Sequence, residues 1–241
     1  MLASLRRVMA FLTPFGPAAV PEAGDLWYFP MAGASIGLIL GLLWWLVAKA
    51  WYPEVGAALL VIGDLVITGM LHVDGLADSA DGLLAPHMER SRRLAIMTEP
   101  TVGAFAVATV AVVLLARWAG ADNIVASPFL IGGLWCASRT IMAVAIDVLP
   151  YARSEGGLAS AFVGSDPQPW LVGSLGLVVS LVLVLVWKPG PGAAALGAAI
   201  LAALGVLEIG RRRLGGFTGD VLGAAAVVGE TVGLLVAAAR W

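Results

Sequence analysis

Charge is scarce in this chain. Only 12% of its 241 residues are Asp, Glu, Lys or Arg, against 60% hydrophobic, where a soluble domain carries about 25% charged and 45–50% apolar residues. With a mean hydropathy of +0.95, that shortage excludes a water-soluble globule, because the apolar runs are too many to share one core. Cysteine is scarcer still. The single Cys136 lies in an apolar run, so no intrachain disulfide can form, and it reads as a small buried hydrophobe. The two histidines, His72 and His87, belong to no Ser-His-Asp or Cys-His constellation, which argues against an activated covalent nucleophile. No basic stripe suits nucleic acid. The N-terminal "MLASLRRVMAFLTPFGP" has neither an adequate apolar region nor a small-residue cleavage site, so no signal peptide is expected. Its Leu2, Leu5, Val8, Met9 and Leu12 recur at helical spacing instead and predict a short helix lying at a membrane interface.

What the chain does have is apolar length. Runs at roughly 31–51, 55–72, 103–120, 127–148, 170–187, 192–209 and 221–239 approach or exceed the ~20 residues that span a bilayer. They predict about seven transmembrane helices, since backbone groups in lipid must be satisfied within a segment. The fold class expected is therefore all-α, a polytopic integral membrane protein forming one unit over residues 1–241. "GASIG" and "GLILG" in the first run are small-residue patterns of close helix packing. Arg6, Arg7, Arg90, Arg92, Arg93, Arg153, Arg211, Arg212 and Arg213 fall on one side of this layout. Lys49, Arg117, Lys188 and Arg240 fall on the other, with Arg139 inside the fourth run. Nine against four places the N-terminus and the loops after runs two, four and six in the cytoplasm.

Those same loops carry the chemistry. "HVDGLADSADG" holds Asp74, Asp78 and Asp81. On a continuing helix, Asp78 lies about 40° to one side of Asp74 and Asp81 about 20° to the other, so all three share a face. Like charges so arranged repel, and a hard divalent cation, Mg²⁺ above all, is their natural partner. A cap accounts for only one aspartate, and Gly75 and Gly82 suit the close approach of a ligand to the backbone. His72 lies on the opposite face, where it is either a proton acceptor, if the chain bends at Gly75, or an interfacial hydrogen-bonding group. In "YARSEGG", Tyr151, Arg153 and Glu155 precede two glycines, and Arg153 reads equally as a phosphate contact or as a positive anchor. In "GGFTGD", Gly215, Gly216, Thr218, Gly219 and Asp220 open the last helix. This is a ready anion site, with Asp220 either a cap or part of a metal or phosphate site. Asp64, Arg139, Asp147 and Glu230 are charges at or near membrane depth and default to function, the plainer reading being an Arg139–Glu230 pair.

Taken together, "GMLHVDGLADSADGLL", "YARSEGG" and "GGFTGDVLGA", flanked by "FLTPFGP", "FPMAGASIGLILG" and "GETVGLL", resemble the cobalamin synthase family, the adenosylcobinamide-GDP ribazoletransferases. The resemblance implies an inner-membrane transferase that requires Mg²⁺. Such an enzyme joins adenosylcobinamide-GDP to α-ribazole or its 5′-phosphate and releases GMP. It implies Asp74, Asp78, Asp81 and Asp220 as the acidic, metal-binding set. The aspartates or His72 would act on the nucleophile, and Arg139, Arg153, Glu155, Gly216, Thr218 and Gly219 would contact substrate. The chain departs from the family at Glu99, where an aspartate is expected. The lipid bilayer is an implied partner, and self-association into a homo-oligomer is left open. Two other readings remain on the residues alone. One is a CDP-alcohol phosphotransferase, although Asp78 stands where that motif needs arginine. The other is an ion-coupled transporter built on Asp64, Arg139 and Glu230.

Overall fold

The computed structural model describes residues 2–15, 22–153, 157, 162 and 168–241. Ten helices follow one another among them: α1 Leu2–Leu12, α2 Phe29–Val47, α3 Pro53–Ile67, α4 Leu71–Leu84, α5 Arg90–Ile96, α6 Ala104–Asp122, α7 Pro128–Val148, α8 Pro169–Trp187, α9 Pro189–Leu214 and α10 Gly219–Ala237. A short 3₁₀ turn, Ala23–Tyr28, precedes α2. Four of the long helices, α3, α7, α8 and α9, open on proline, whose fixed φ and missing N–H suit a first turn. Six segments are long and apolar enough to cross a membrane, seven if the bent pair α3–α4 counts as one. The chain is an all-helical, multi-pass membrane protein, as its apolar runs predict.

Burial sorts these helices. α7 and α10 form the centre and are mostly buried, whereas α6 and α8 present long apolar faces outward, including Leu177, Val178, Leu181 and Val182 of α8. In water that surface would be an aggregation patch; in a bilayer it is the lipid contact. The glycine patterns of the first run now have a partner. Gly33, Gly37 and Gly41 lie one turn apart on α2 and meet the backbone of α7 at Trp135, Ile131 and Pro128, with no space for a Cβ at any of the three. Two backbones in contact gain dispersion energy that lipid cannot supply.

The second run differs from expectation. It is not one straight crossing through residue 72, because α3 ends at Ile67 and α4 leaves it at 89°. Thr68 caps α3, and the Gly69 and Met70 N–H groups bond back to the Val66 and Leu65 carbonyls at 3.2 and 2.9 Å. This is a Schellman arrangement with glycine at the left-handed position (φ 57°). Met70 follows at φ 60°, a conformation costing a non-glycine residue about 1–2 kcal/mol. The bend thus falls at Gly69–Met70 and not at Gly75, through which α4 runs unbroken.

Arg117 is also relocated. It was counted among the charges of the far side, yet it lies in α6 and is 1% exposed. It pairs with Asp64 of α3 and, at 2.9 Å, with Glu230 of α10. Glu230 also binds Arg139 and accepts the Ser138 hydroxyl at 2.7 Å. Two arginines and two carboxylates thus form one neutral, buried lattice joining α3, α6, α7 and α10. The Arg139–Glu230 pairing is present as part of something larger.

Candidate active site

The loops after α4, α7 and α9 meet on one face of the bundle. Their junction starts from backbone pairing, with the Phe217 N–H bonding the Pro150 carbonyl at 2.9 Å and the Ala152 N–H returning to Phe217 at 2.8 Å. Gly216 permits it, because a Cβ there would collide with the Pro150 carbonyl. The Thr218 hydroxyl accepts the Val221 N–H at 3.3 Å and so caps α10, with Gly219 as the first helical residue. Thr218 therefore fills the capping role and frees Asp220, in the first turn, for other partners. Arg153 donates to Asp220 at 2.7 Å and to the Met97 carbonyl at 3.4 Å. Glu155 lies outside the described residues.

Across from this junction runs α4. It is helical from Leu71 to Leu84, so Asp74, Asp78 and Asp81 do share one side, but their surroundings differ. Both carboxylate oxygens of Asp81 accept backbone N–H groups at the start of α6, Gly103 at 2.6 Å and Ala106 at 3.0 Å. Asp81 is thus a cap delivered to α6 from another helix. The Asp74 and Asp78 carboxylates take part in no hydrogen bond or ion pair among the described residues. Asp78 sits in the negative field of Asp220, Asp74 and Asp81, opposed by Arg153. The glycines of α4 serve packing. Gly75 lets the α10 backbone approach, a Cβ there meeting Asp220 at 2.8 Å, and at Gly82 a Cβ would strike Met97.

α5 locks the arrangement. The Arg93 guanidinium caps the end of α4, donating to the Gly82 and Leu83 carbonyls at 2.8 and 3.2 Å and to Met88 at 3.0 Å. Arg90 donates to the Ala152 carbonyl at 3.0 Å. Nothing in the spacing of either arginine marks it as a cap. Arg211 and Arg212 are held on their own helix by Glu208.

A cavity of about 260 Å³ opens between these elements, lined by His72, Asp74, Tyr151, Arg153, Gly219 and Asp220 on its polar side and by Phe11, Phe29, Met142 and Ile146 on its apolar side. His72 is 4% exposed, and neither imidazole nitrogen has a hydrogen-bond partner among the described residues. Burial raises the Tyr151 phenol above its ordinary range, with Arg153 pulling the other way, so at neutral pH its hydroxyl stays protonated. The structure therefore gathers His72, Asp74, Arg153, Gly219 and Asp220 at one cavity, with Asp78 beside them. Thr218, Gly216 and Asp81 support that site from behind, and Arg139 belongs to the buried lattice.

Comparison with known proteins decides the family. The sequence model of the cobalamin-5-phosphate synthase family matches residues 4–238. The chain belongs to that family. Relatives named adenosylcobinamide-GDP ribazoletransferase extend over nearly its whole length. The Chlorobium phaeovibrioides protein is 34% identical over 95% of this chain and 93% of its own. That of Chlorobaculum parvum is 35% identical over 98% and 94%, and that of Bradyrhizobium diazoefficiens 34% over 99% and 94%. No solved structure matches the chain.

The synthase family is implied to need a divalent cation, and the donors here suit one. No three acidic or histidine side chains among the described residues already converge as a metal cage. Mg²⁺, however, is usually held by one or two carboxylates completed by substrate phosphates and water. Asp74 and Asp78, unpaired beside Asp220, are hard oxygen donors of that kind. Asp81, engaged with α6, fits less well.

Proposed function

We propose that this membrane protein is an adenosylcobinamide-GDP ribazoletransferase that joins adenosylcobinamide-GDP to α-ribazole, or to its 5′-phosphate, and releases GMP. The observation that carries the reading is Arg153, anchored on Asp220 at 2.7 Å and sharing one cavity with the unpaired Asp74 carboxylate of α4. A diphosphate needs positive charge on its oxygens, supplied by Arg153. A bound Mg²⁺ held by Asp74 and Asp78, with Asp220 in reach, would neutralise the diphosphate and the charge developing on the leaving phosphate.

In the reaction, a ribose hydroxyl oxygen of the acceptor forms a bond to the phosphorus nearer cobinamide. The bond from that phosphorus to the bridging oxygen of GMP breaks, and the hydroxyl proton passes to a carboxylate of the site. The protein's part is placement and electrostatics. The α10 N-terminus at Gly219 adds N–H groups to the phosphate side. Arg139 is assigned to the buried lattice and not to substrate.

The bias of positive charge supports a cytoplasmic location for this face. Without Arg117 it stands at nine against Lys49, Lys188 and Arg240. Phosphorylated substrates are met on that side; cysteine labelling, argued below, tests the assignment. The transporter reading loses its basis, since Asp64, Arg117, Arg139 and Glu230 neutralise one another inside the bundle.

The test is GMP and cobalamin release by the full chain in nanodiscs given adenosylcobinamide-GDP, α-ribazole and Mg²⁺. Asp78→Asn is expected to lose about 10²–10³ in kcat, the scale of removing one preorganised electrostatic group, and EDTA to abolish turnover. Absence of product from folded, lipid-supplied protein would refute the assignment.

A further inference from the structure

Resting on that function, the structure also indicates how the two substrates divide the site. The cavity at His72 has a volume of about 260 Å³, just under the roughly 300–1,000 Å³ of ordinary small-molecule pockets. A nucleoside is of that scale. A corrin ring with its amide arms and adenosyl group exceeds it several-fold, so the donor's bulk must lie elsewhere.

The lining of this cavity is two-sided. Asp74, Asp220 and Arg153 form one end. The other is apolar and aromatic, with Phe11 and Phe29 backed by Phe162 in edge-on contact at 5.0 and 5.4 Å. Against this end lies His72, whose two buried nitrogens have no partner among the described residues. A buried polar group without a hydrogen bond is destabilising, and a ligand that supplies one removes that cost. A flat aza-aromatic base attached to a ribose matches both halves. Its rings lie on the apolar wall, its ring nitrogen meets the imidazole N–H, and its ribose points toward the carboxylates.

Tyr151 and Arg153 also line a second cavity, about 330 Å³ in volume, open to the surface and bounded by Arg90, Ser91 and Leu94. Arg90 is exposed there, with only one of its donors given to the Ala152 carbonyl. Arg153 therefore stands between a deeper, half-apolar chamber and a more open, basic one. In-line displacement at phosphorus requires the attacking and leaving oxygens on opposite sides, and chambers on either side of one arginine provide that.

We propose that the chamber containing His72 and Phe29 holds the acceptor nucleoside, and that the open chamber bounded by Arg90 holds the guanylate half of the donor, with the diphosphate crossing between them at Arg153. His72 is then a hydrogen-bonding residue for the acceptor base, and Arg90 a binding residue for the leaving nucleotide.

The test uses the full chain in nanodiscs with His72→Leu and Arg90→Gln, each substrate varied in turn. His72→Leu breaks no hydrogen bond seen in the structure, so its thermal midpoint is expected to be at or above that of wild type. Its KM for α-ribazole should rise about tenfold or more, the scale of one lost hydrogen bond, with the KM for adenosylcobinamide-GDP within about twofold. Arg90→Gln should show the reverse and weaken inhibition by GMP about tenfold. A rise in donor KM for His72→Leu, a loss confined to kcat, or both variants moving the same KM overturns the partition. Should His72→Leu not fold, the surface variant Arg90→Gln decides alone. Calorimetric binding of α-ribazole alone and GMP alone separates this inference from the reaction itself. If wild type releases no GMP, the transferase reading fails. The partition fails if wild type binds neither ligand, or if His72→Leu weakens GMP instead of α-ribazole.

Discussion

At the scale of single residues, the three aspartates of α4 are chemically identical and structurally unlike. Their spacing revealed a shared helix face, and α4 bears that out. Spacing cannot reveal what faces them, because the partners of Asp81, the Gly103 and Ala106 N–H groups, are brought in by tertiary packing. The difference is measurable. Asp81→Ala removes a charged cap from the positive end of α6, a loss of about 1–2 kcal/mol. It should therefore lower the thermal midpoint while leaving the Mg²⁺ concentration for half-maximal activity unchanged. Asp78→Asn should do the opposite, shifting the Mg²⁺ dependence with little effect on stability, since no hydrogen bond to that carboxylate is lost among the described residues. A shifted Mg²⁺ dependence in Asp81→Ala would return that residue to the metal-binding set.

At the scale of helices, the long spans were legible because lipid enforces length and apolarity together. The bend between α3 and α4 was not read, although its signal stood in "VITGMLH", where Thr68 and Gly69 follow the last apolar turn as cap and left-handed glycine. The hydropathy of the run simply continued past it. Arg117 was misplaced for a related reason. Near the end of an apolar run, a charge belonging to a loop and a charge buried between helices look alike in one dimension. Only the pairing of Asp64, Arg117, Glu230 and Arg139 distinguishes them. Glu230→Gln would leave two buried arginines facing one carboxylate, and breaking a buried pair from one side costs about 3–5 kcal/mol. The protein should then unfold at markedly lower temperature in detergent. Removing Arg139 as well, as Arg139→Met with Glu230→Gln, restores neutrality and should recover most of that loss. A double variant no better than the sum of the single ones would show that the four charges are not coupled.

At the scale of the whole molecule, the bundle has two faces of opposite character. One collects the ends of α4, α7 and α9 with the caps and cavities described above. The other holds the turn around Lys49 and the segment from Ala121 to Ala126, near the Trp44 and Trp51 rings. Which face meets the cytoplasm depends on charge bias alone, and the chain offers a clean way to settle it. Its only cysteine, Cys136, is fully buried, with its thiol toward the Gly176 carbonyl, so an impermeant maleimide should find no background target. Arg92 and Lys49 are exposed on the two faces. Arg92 has only a surface pair with Glu99, of the kind worth at most about 1 kcal/mol, so a cysteine there should not disturb the fold. In sealed right-side-out vesicles, Lys49→Cys should label at once and Arg92→Cys only after the membrane is opened. The reverse pattern would turn the active-site face outward, where a nucleotide donor made in the cytoplasm could not reach Arg153 without first crossing the bilayer.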